Sequence, residues 1–280
     1  MRIGVTGSTG FIGRYLVAEL DRRRIQATLQ SRSAHNPSGR DSLHTRAAFD
    51  LHSPPTDAYQ LMGEPDTLLH LAWSGLPNYK SAHHVEQELP AQYEFLKALI
   101  GAGVQNLVVA GTCFEYGLQS GELSEDLEPR PINPYGLAKN ALRVRLEQLQ
   151  RLVPFNLIWC RLFYLFGEGQ APTSLFSQLK SAVARGTKVF DMSGGEQVRD
   201  FLSVGEAASY MVSLAVLGRN LGCVNVCSGV PISVRSIVEG WIRDNSWNIE
   251  LNLGHYPYPD YEPMVFWGDR AKLNRCLQLV

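Results

Sequence analysis

Short apolar runs alternate along the chain with helical stripes and glycine-rich turns. Residues 3–5 form an apolar run that leads straight into glycines, and within 11–24 Ile12, Leu16, Val17 and Leu20 share one helical face. Residues 25–30, 47–51 and 67–72 predict three further strands, the last continuously apolar, as a strand covered on both faces is. A long helix is predicted over 85–102, a strand at 107–110, a helix opened by Pro134 over 135–152, and a buried strand at 155–160. Strand and helix alternate in this way for about 160 residues, which predicts an α/β fold with right-handed crossovers: a doubly wound parallel sheet, helices on both faces. Beyond Phe166 the texture changes to short elements interrupted by Gly, Pro and Ser, at 167–172, 186, 193–195 and 256–263. The expected division is a larger domain over residues 1–166 and a smaller α/β lobe over 167–280, with segments near 200–230 returning to the first sheet.

Composition narrows the class of partner. The chain has 280 residues with 26 Lys and Arg against 27 Asp and Glu, a formal net charge of −1. With 45% hydrophobic and 19% charged residues it can bury enough apolar surface to fold, which excludes disorder as its main state. So balanced a charge argues against nucleic acid or a membrane surface as partner, so any bound anion must be held locally. The cysteines (Cys113, Cys160, Cys223, Cys227, Cys276) are odd in number and sit mostly in apolar runs, which suits reduced thiols better than a disulfide framework. The most apolar stretch, 157–166, carries Arg161 in its middle, and the first residues lack the pattern of a signal peptide. A cytoplasmic location without a membrane span is expected.

Candidate chemistry begins at Thr6-Gly7-Ser8-Thr9-Gly10-Phe11-Ile12-Gly13, between the first strand and the first helix. Gly7 suits a tight turn, Gly10 lets a pyrophosphate approach bare N–H groups at a helix start, and Gly13 allows close helix–sheet packing. Gly7, Thr9, Gly10, Phe11 and Ile12 are therefore expected to hold a dinucleotide. The second strand ends Leu29-Gln30-Ser31-Arg32-Ser33, without the acid that would bind both hydroxyls of an NAD ribose. Arg32 and Ser31 can instead hold a 2′-phosphate, with Arg14 as a second cation, so NADP (NADPH) is expected over NAD. Solvated surface arginines are the alternative. In Tyr135-Gly136-Leu137-Ala138-Lys139 a phenol and an ammonium lie four apart on one helix face. A phenol titrates near ~10, and a fixed cation beside it would make Tyr135 a usable acid/base.

With these motifs the chain resembles the extended short-chain dehydrogenase/reductase family, in its nucleotide-sugar epimerase/dehydratase/ketoreductase branch. Further segments carry the likeness: Asp50-Leu51, Leu71-Ala72-Trp73, Gly111-Thr112-Cys113-Phe114-Glu115-Tyr116-Gly117, the segment from Arg161 to Gly167, and Arg199-Asp200-Phe201. The resemblance implies a Rossmann-type first domain, a substrate-binding second lobe and a homodimer. It implies cofactor contacts from Asp50, Leu51, Leu71, Ala72 and Trp73. Thr112 would hydrogen-bond the reacting sugar oxygen, Tyr135 act as acid/base, Lys139 hold the nicotinamide ribose, and Arg199 clamp the nucleotide diphosphate. Tyr164 departs from the family, standing where many relatives carry an Asn that contacts the nucleotide side. Tyr79, after the fourth strand, is expected to touch the sugar.

The Thr112 segment separates reactions of the branch. Related 4,6-dehydratases carry Asp-Glu directly after the threonine, whereas this chain has Cys113 and Phe114, so dehydration is not expected. An epimerase base next to a ketone would be a cysteine at the Phe114 position. If the segment is extended, Cys113 faces the other way, as a small buried residue. The reading is a 4-ketoreductase of a nucleotide-linked, dTDP-type 4-keto-6-deoxyhexose in deoxysugar biosynthesis. A 4-epimerase with tightly held NAD is the alternative, and a non-catalytic NADP-binding regulatory protein a further one. His83 and His84 are read as solvated helix-start residues, and Cys223 and Cys227 as core rather than metal ligands. The stripe Leu89, Leu96, Leu99 and Ile100 fits either a dimer interface or ordinary core.

Overall fold

The alternation of the first half resolves into a parallel sheet. In the computed structural model, which describes residues 1–32, 43–258 and 262–279, β1 (Ile3–Thr6), α1 (Phe11–Arg22), β2 (Ala27–Ser31), β3 (Thr45–Ala48), α2 (Ala58–Leu61) and β4 (Thr67–His70) come first. A π-helical turn (His84–Glu88) leads into α3 (Leu89–Ala102), then β5 (Asn106–Thr112), a 3-10 turn (Cys113–Tyr116), β6 (Gly121–Leu123), α4 (Pro134–Gln150) and β7 (Asn156–Leu162). The second half adds β8 (Tyr164–Phe166), α5 (Leu175–Ala184), β9 (Val189–Asp191), β10 (Val198–Ser203), α6 (Val204–Leu217) and β11 (Gly222–Val226). It closes with β12 (Pro231–Ser233), α7 (Val234–Asp244), β13 (Glu250–Asn252), β14 (Phe266–Gly268) and α8 (Ala271–Leu277).

The main sheet has the order β11-β7-β5-β4-β1-β2-β3, parallel throughout. Direction of progression reverses between β1 and β4, so the loops leaving those strands diverge and open a crevice at their carboxyl ends. One face is covered by α1, α6 and α8 through Leu16, Leu20, Met211, Val212, Leu214 and Leu273. The other is covered by α3 and α4, where Leu89, Leu96, Leu99 and Ile100 are all buried with Leu142, Leu146 and Trp159. That stripe is core, the second of its two expected readings. A separate cluster of Leu179, Phe190, Val238 and Trp241 lies under the later elements.

Several boundaries move. β4 ends at His70, so Leu71, Ala72 and Trp73 belong to the loop beyond it, and β3 ends at Ala48, so Phe49, Asp50 and Leu51 follow the strand. Both strands stop where their parallel partners stop pairing. Ser33 lies outside the described residues. All five cysteines are free. Among the described residues no helix is long and apolar enough to cross a membrane, and no three His, Cys, Asp or Glu side chains are grouped as metal ligands.

Candidate active site

The loop after β1 lies in the crevice. Gly7 has φ +71°, and a Cβ there would sit 2.7 Å from the Ala72 amide, so the loops after β1 and β4 meet backbone to backbone. Gly10 N donates to Gly7 O at 3.1 Å, and as N-cap of α1 it offers no side chain to the helix's first amides. Those N–H groups, from Phe11 onward, are therefore available to an anion, and Thr9 and Gly10 are exposed beside them. Ser31 ends β2, followed by the exposed Arg32. Hydrogen bonds from His52, with a contribution from the Arg32 charge, hold the Asp50 carboxyl below the usual carboxylate range, and Leu51 is buried beside it. Arg14 does not join this group. Its guanidinium donates to Gly169 O at 3.0 Å, because α1 packs against the 167–169 turn, where Tyr15 also donates to Glu168 O.

Thr112, Tyr135 and Lys139 converge at the end of β5. Thr112 is extended and caps the 3-10 turn: its Oγ1 accepts from Phe114 N at 3.3 Å, while its N–H donates to Glu115 Oε1 at 2.9 Å. Glu115 is turned under the sheet, accepting from Trp159 Nε1 at 2.8 Å and Arg161 Nε at 2.9 Å. Across from Thr112, Asn133 caps α4 through Gly136 N, Pro134 occupies the first turn, and Tyr135 follows with its amide on Tyr79 O at 3.2 Å. The Tyr135 ring lies among Tyr79, His84, Trp73 and Phe114, at centroid distances of 5.5, 5.3, 6.0 and 6.3 Å. Burial pushes the phenol well above its ordinary value, with Tyr79, Glu115 and Cys113 adding to the rise and a hydrogen bond from Thr112 opposing it.

Lys139 sits to one side of that phenol. Its Nζ donates to Ala110 O at 2.9 Å and sits 3.9 Å from the Trp73 ring centroid, but 5.9 Å from that of Tyr135. Burial brings the ammonium itself down to about 7. Spacing reveals the nearby charge, whereas desolvation, which dominates both groups, depends on the loop that closes over them.

That loop is held by residues read from the sequence as solvated. His84 is fully buried: Nδ1 accepts from Trp73 Nε1 at 3.1 Å, so Nε2 carries the proton and donates to Asn78 O at 2.9 Å. Burial keeps it neutral, below its ordinary value. Glu88, one turn on and also fully buried, is missed altogether by the sequence reading. His83 is half-buried against Ser74 Oγ at 2.8 Å. Cys113 starts a 3-10 turn instead of continuing an extended strand, and packs with Tyr116, Phe163 and Cys227; burial pushes its thiol up, which leaves it no base.

A cavity of about 400 Å³ opens beside Tyr79, walled by Tyr164, Phe176, Trp241, Arg199 and Glu262. Arg199 lines the wall and is already paired, its Nη2 lying 2.9 Å from Glu262 Oε2 and its Nη1 donating to Val198 O and Met264 O. The Phe266 ring centroid lies 4.5 Å from the guanidinium. Glu262 is 63 residues away in sequence, so no local signal pointed to it.

A profile of the NAD dependent epimerase/dehydratase family matches residues 3–227. The chain belongs to this family. Within it, the chain is 30% identical to dTDP-6-deoxy-L-talose 4-dehydrogenase (NAD(+)) of Aggregatibacter actinomycetemcomitans, covering 96% of this chain and 99% of that protein. It is 26% identical to GDP-6-deoxy-D-talose 4-dehydrogenase of the same organism, over 99% and 91% of the two chains. The structure of MoeE5 in complex with UDP-glucuronic acid and NAD superposes with a TM-score of 0.83 at 25% identity, covering 99% of this chain and 93% of that one. The Rossmann-like order of the main sheet is thus the family's fold.

Proposed function

We propose that this protein is a 4-ketoreductase of a nucleotide-linked, dTDP-type 4-keto-6-deoxyhexose, using NADPH. The observation that carries the reading is the Thr112–Tyr135 pair, with the neighbouring Thr112 segment offering no second acid or base: Glu115 is sequestered by Trp159 and Arg161, Cys113 is buried, and Phe114 packs at a tilt against Tyr79, centroids 4.9 Å apart. One hydroxyl and one phenol suit proton transfer at a single oxygen and leave nothing to expel water.

The crevice fits a dinucleotide, since α1 opens with uncapped amides beside bare backbone. Gly7, Thr9, Gly10, Phe11 and Ile12 would hold its pyrophosphate, Ser31, Arg32, Asp50 and Leu51 its adenosine end, and Leu71, Ala72, Trp73 and Lys139 its nicotinamide end. When bound, it supplies the hydride for C4. Thr112 orients the sugar oxygen and Tyr135 hands it the proton. Burial keeps the Tyr135 phenol neutral and protonated at neutral pH, the form that gives its proton to the sugar oxygen in reduction. Arg199, Tyr164 and Tyr79 face the nucleotide sugar, and residues 167–280 act as its lobe by supplying Arg199, Trp241 and Glu262 to the cavity. Among the described lining residues Arg199 is the sole cation and it is paired, so a neutral 6-methyl group fits this wall better than a uronate. The talose 4-dehydrogenases among the relatives act, by name, at the same carbon.

Mixing the protein with NADPH and dTDP-4-keto-6-deoxyglucose, with and without a 3,5-epimerase, is expected to consume the reduced nicotinamide in one of the two mixtures. No loss of its absorbance in either overturns the assignment. Arg32→Ala is expected to raise the KM for NADPH on the order of tenfold, by removing a charge-assisted phosphate contact, and to leave NADH nearly unaffected. Equal KM values for the two cofactors, indifferent to that change, would point to NAD and strengthen the 4-epimerase reading.

A further inference from the structure

Glu88 is a buried charge that the proposed reaction does not use. Its Oε1 lies 2.5 Å from Ser74 Oγ and 2.7 Å from His52 Nε2, with His83 Nε2 at 3.3 Å, and its Oε2 accepts from Gln92 Nε2 at 2.9 Å. Burial works against the charge, but the hydrogen bonds from Ser74 and Gln92 outweigh it and hold the carboxyl at about 2. The backbone prepares this site. The π turn His84–Glu88 inserts an extra residue in the helical path, and both of its end residues, His84 and Glu88, are fully buried.

The partners belong to different borders of the crevice. His52 follows β3 and donates its amide to Asp50 Oδ1 at 3.0 Å, with Nδ1 3.3 Å from the same oxygen. Ser74 and His83 belong to the loop after β4, which carries Trp73 over Lys139 and Tyr79 against Tyr135. The neighbouring His84 pins the same loop through Trp73 and Asn78. One carboxylate thus joins the turn at Asp50 to the loop around the phenol. These partners lie 36 and 14 residues from Glu88 in sequence, one on the segment after β3 and the other on the loop after β4.

We infer that Glu88 is a positioning residue that couples the two ends of the dinucleotide crevice, so that seating an adenosine at Asp50–Leu51 and ordering the Trp73–Tyr79 loop are one event. This rests on the reading that the crevice binds NAD(P)H. A ligand group at either end then strengthens binding at the other, and the coupling runs through His52, Glu88 and Ser74.

The test is a double-mutant cycle on the full chain, with the Kd for NADPH read by nicotinamide fluorescence and the melting temperature recorded for every variant. His52→Ala and Ser74→Ala are each expected to weaken binding about three- to tenfold, and the double variant to be hardly worse than the weaker single. In a Glu88→Gln background neither substitution should change Kd further by more than about twofold. Effects that multiply in the Glu88 protein, or melting temperatures that fall with Kd unchanged, overturn the coupling. Should Glu88→Gln fail to fold, the His52/Ser74 cycle in the unaltered background decides alone. Failure of the unaltered protein to bind NADPH or NADH would instead refute the cofactor reading on which the inference stands.

Discussion

Tyr135→Phe is expected to lower kcat by about 10³-fold, the scale of losing a positioned proton donor, while the Kd for NADPH stays within about twofold. The substitution is unusually clean here. The packing of Tyr135 against Tyr79, His84, Trp73 and Phe114 is made by the ring, which phenylalanine keeps. The hydrogen bond its N–H donates to Tyr79 O and the Asn133 cap on Gly136 N do not involve its side chain and persist. What disappears is the hydroxyl that Thr112 contacts and whose proton burial holds tightly. Single-turnover measurement with NADPH already bound isolates the chemical step. An unchanged rate would remove Tyr135 from catalysis and point to a differently catalysed reaction.

Lys139→Met should abolish most turnover and yet make the protein more stable. Lys139 is 2% exposed, and burial lowers its ammonium from 10.5 to about 7, with Glu115 and Glu88 only partly compensating. Below about pH 7 both folded and unfolded chains carry the proton, so the fold bears the whole cost of burying a charge. Between about 7 and 10.5 the folded amine is neutral while the unfolded chain remains protonated, so stability rises with pH across that window. An uncharged side chain of similar length removes the cost. After subtracting the lost bond to Ala110 O and the contact with Trp73, a gain of about 2 kcal/mol remains at pH 6, or roughly 5 °C in Tm. The gain should shrink as pH approaches 10. A lower Tm at pH 6 would show that Lys139 stabilises the fold as a charge, and the account of its burial would be wrong.

The parts of this molecule that could be read along the chain are those built from neighbours. Each strand–helix unit announces itself within about thirty residues through its own periodicity, which is why the parallel sheet and the α1 loop were legible. Tyr135 and Lys139 share one helix face, so their meeting needed only helical geometry. Glu88, by contrast, reads as one more polar position on an amphipathic helix, and only the folded chain brings His52 and Ser74 to it. The Arg199–Glu262 pair was invisible for the same reason. Thr112-Cys113-Phe114 can extend a strand or cap a turn with equal local ease, and the reciprocal bonds between Thr112 and Glu115 decide for the turn. The spacing of Tyr135 and Lys139 could not show their burial, because desolvation is a property of what covers a group, here Trp73, Tyr79 and His84.

β11 comes from the far half of the chain and hydrogen-bonds along β7 from Ile158 to Leu162, while Arg23 at the end of α1 reaches Ser209 and Ser213 on α6. A polypeptide stopped at Phe166 would leave the β7 edge unpaired and uncover Cys160 on the face that α6 shields, a template for aggregation. The later half of the chain is therefore not a separable module, since removing it unpairs the very sheet it completes.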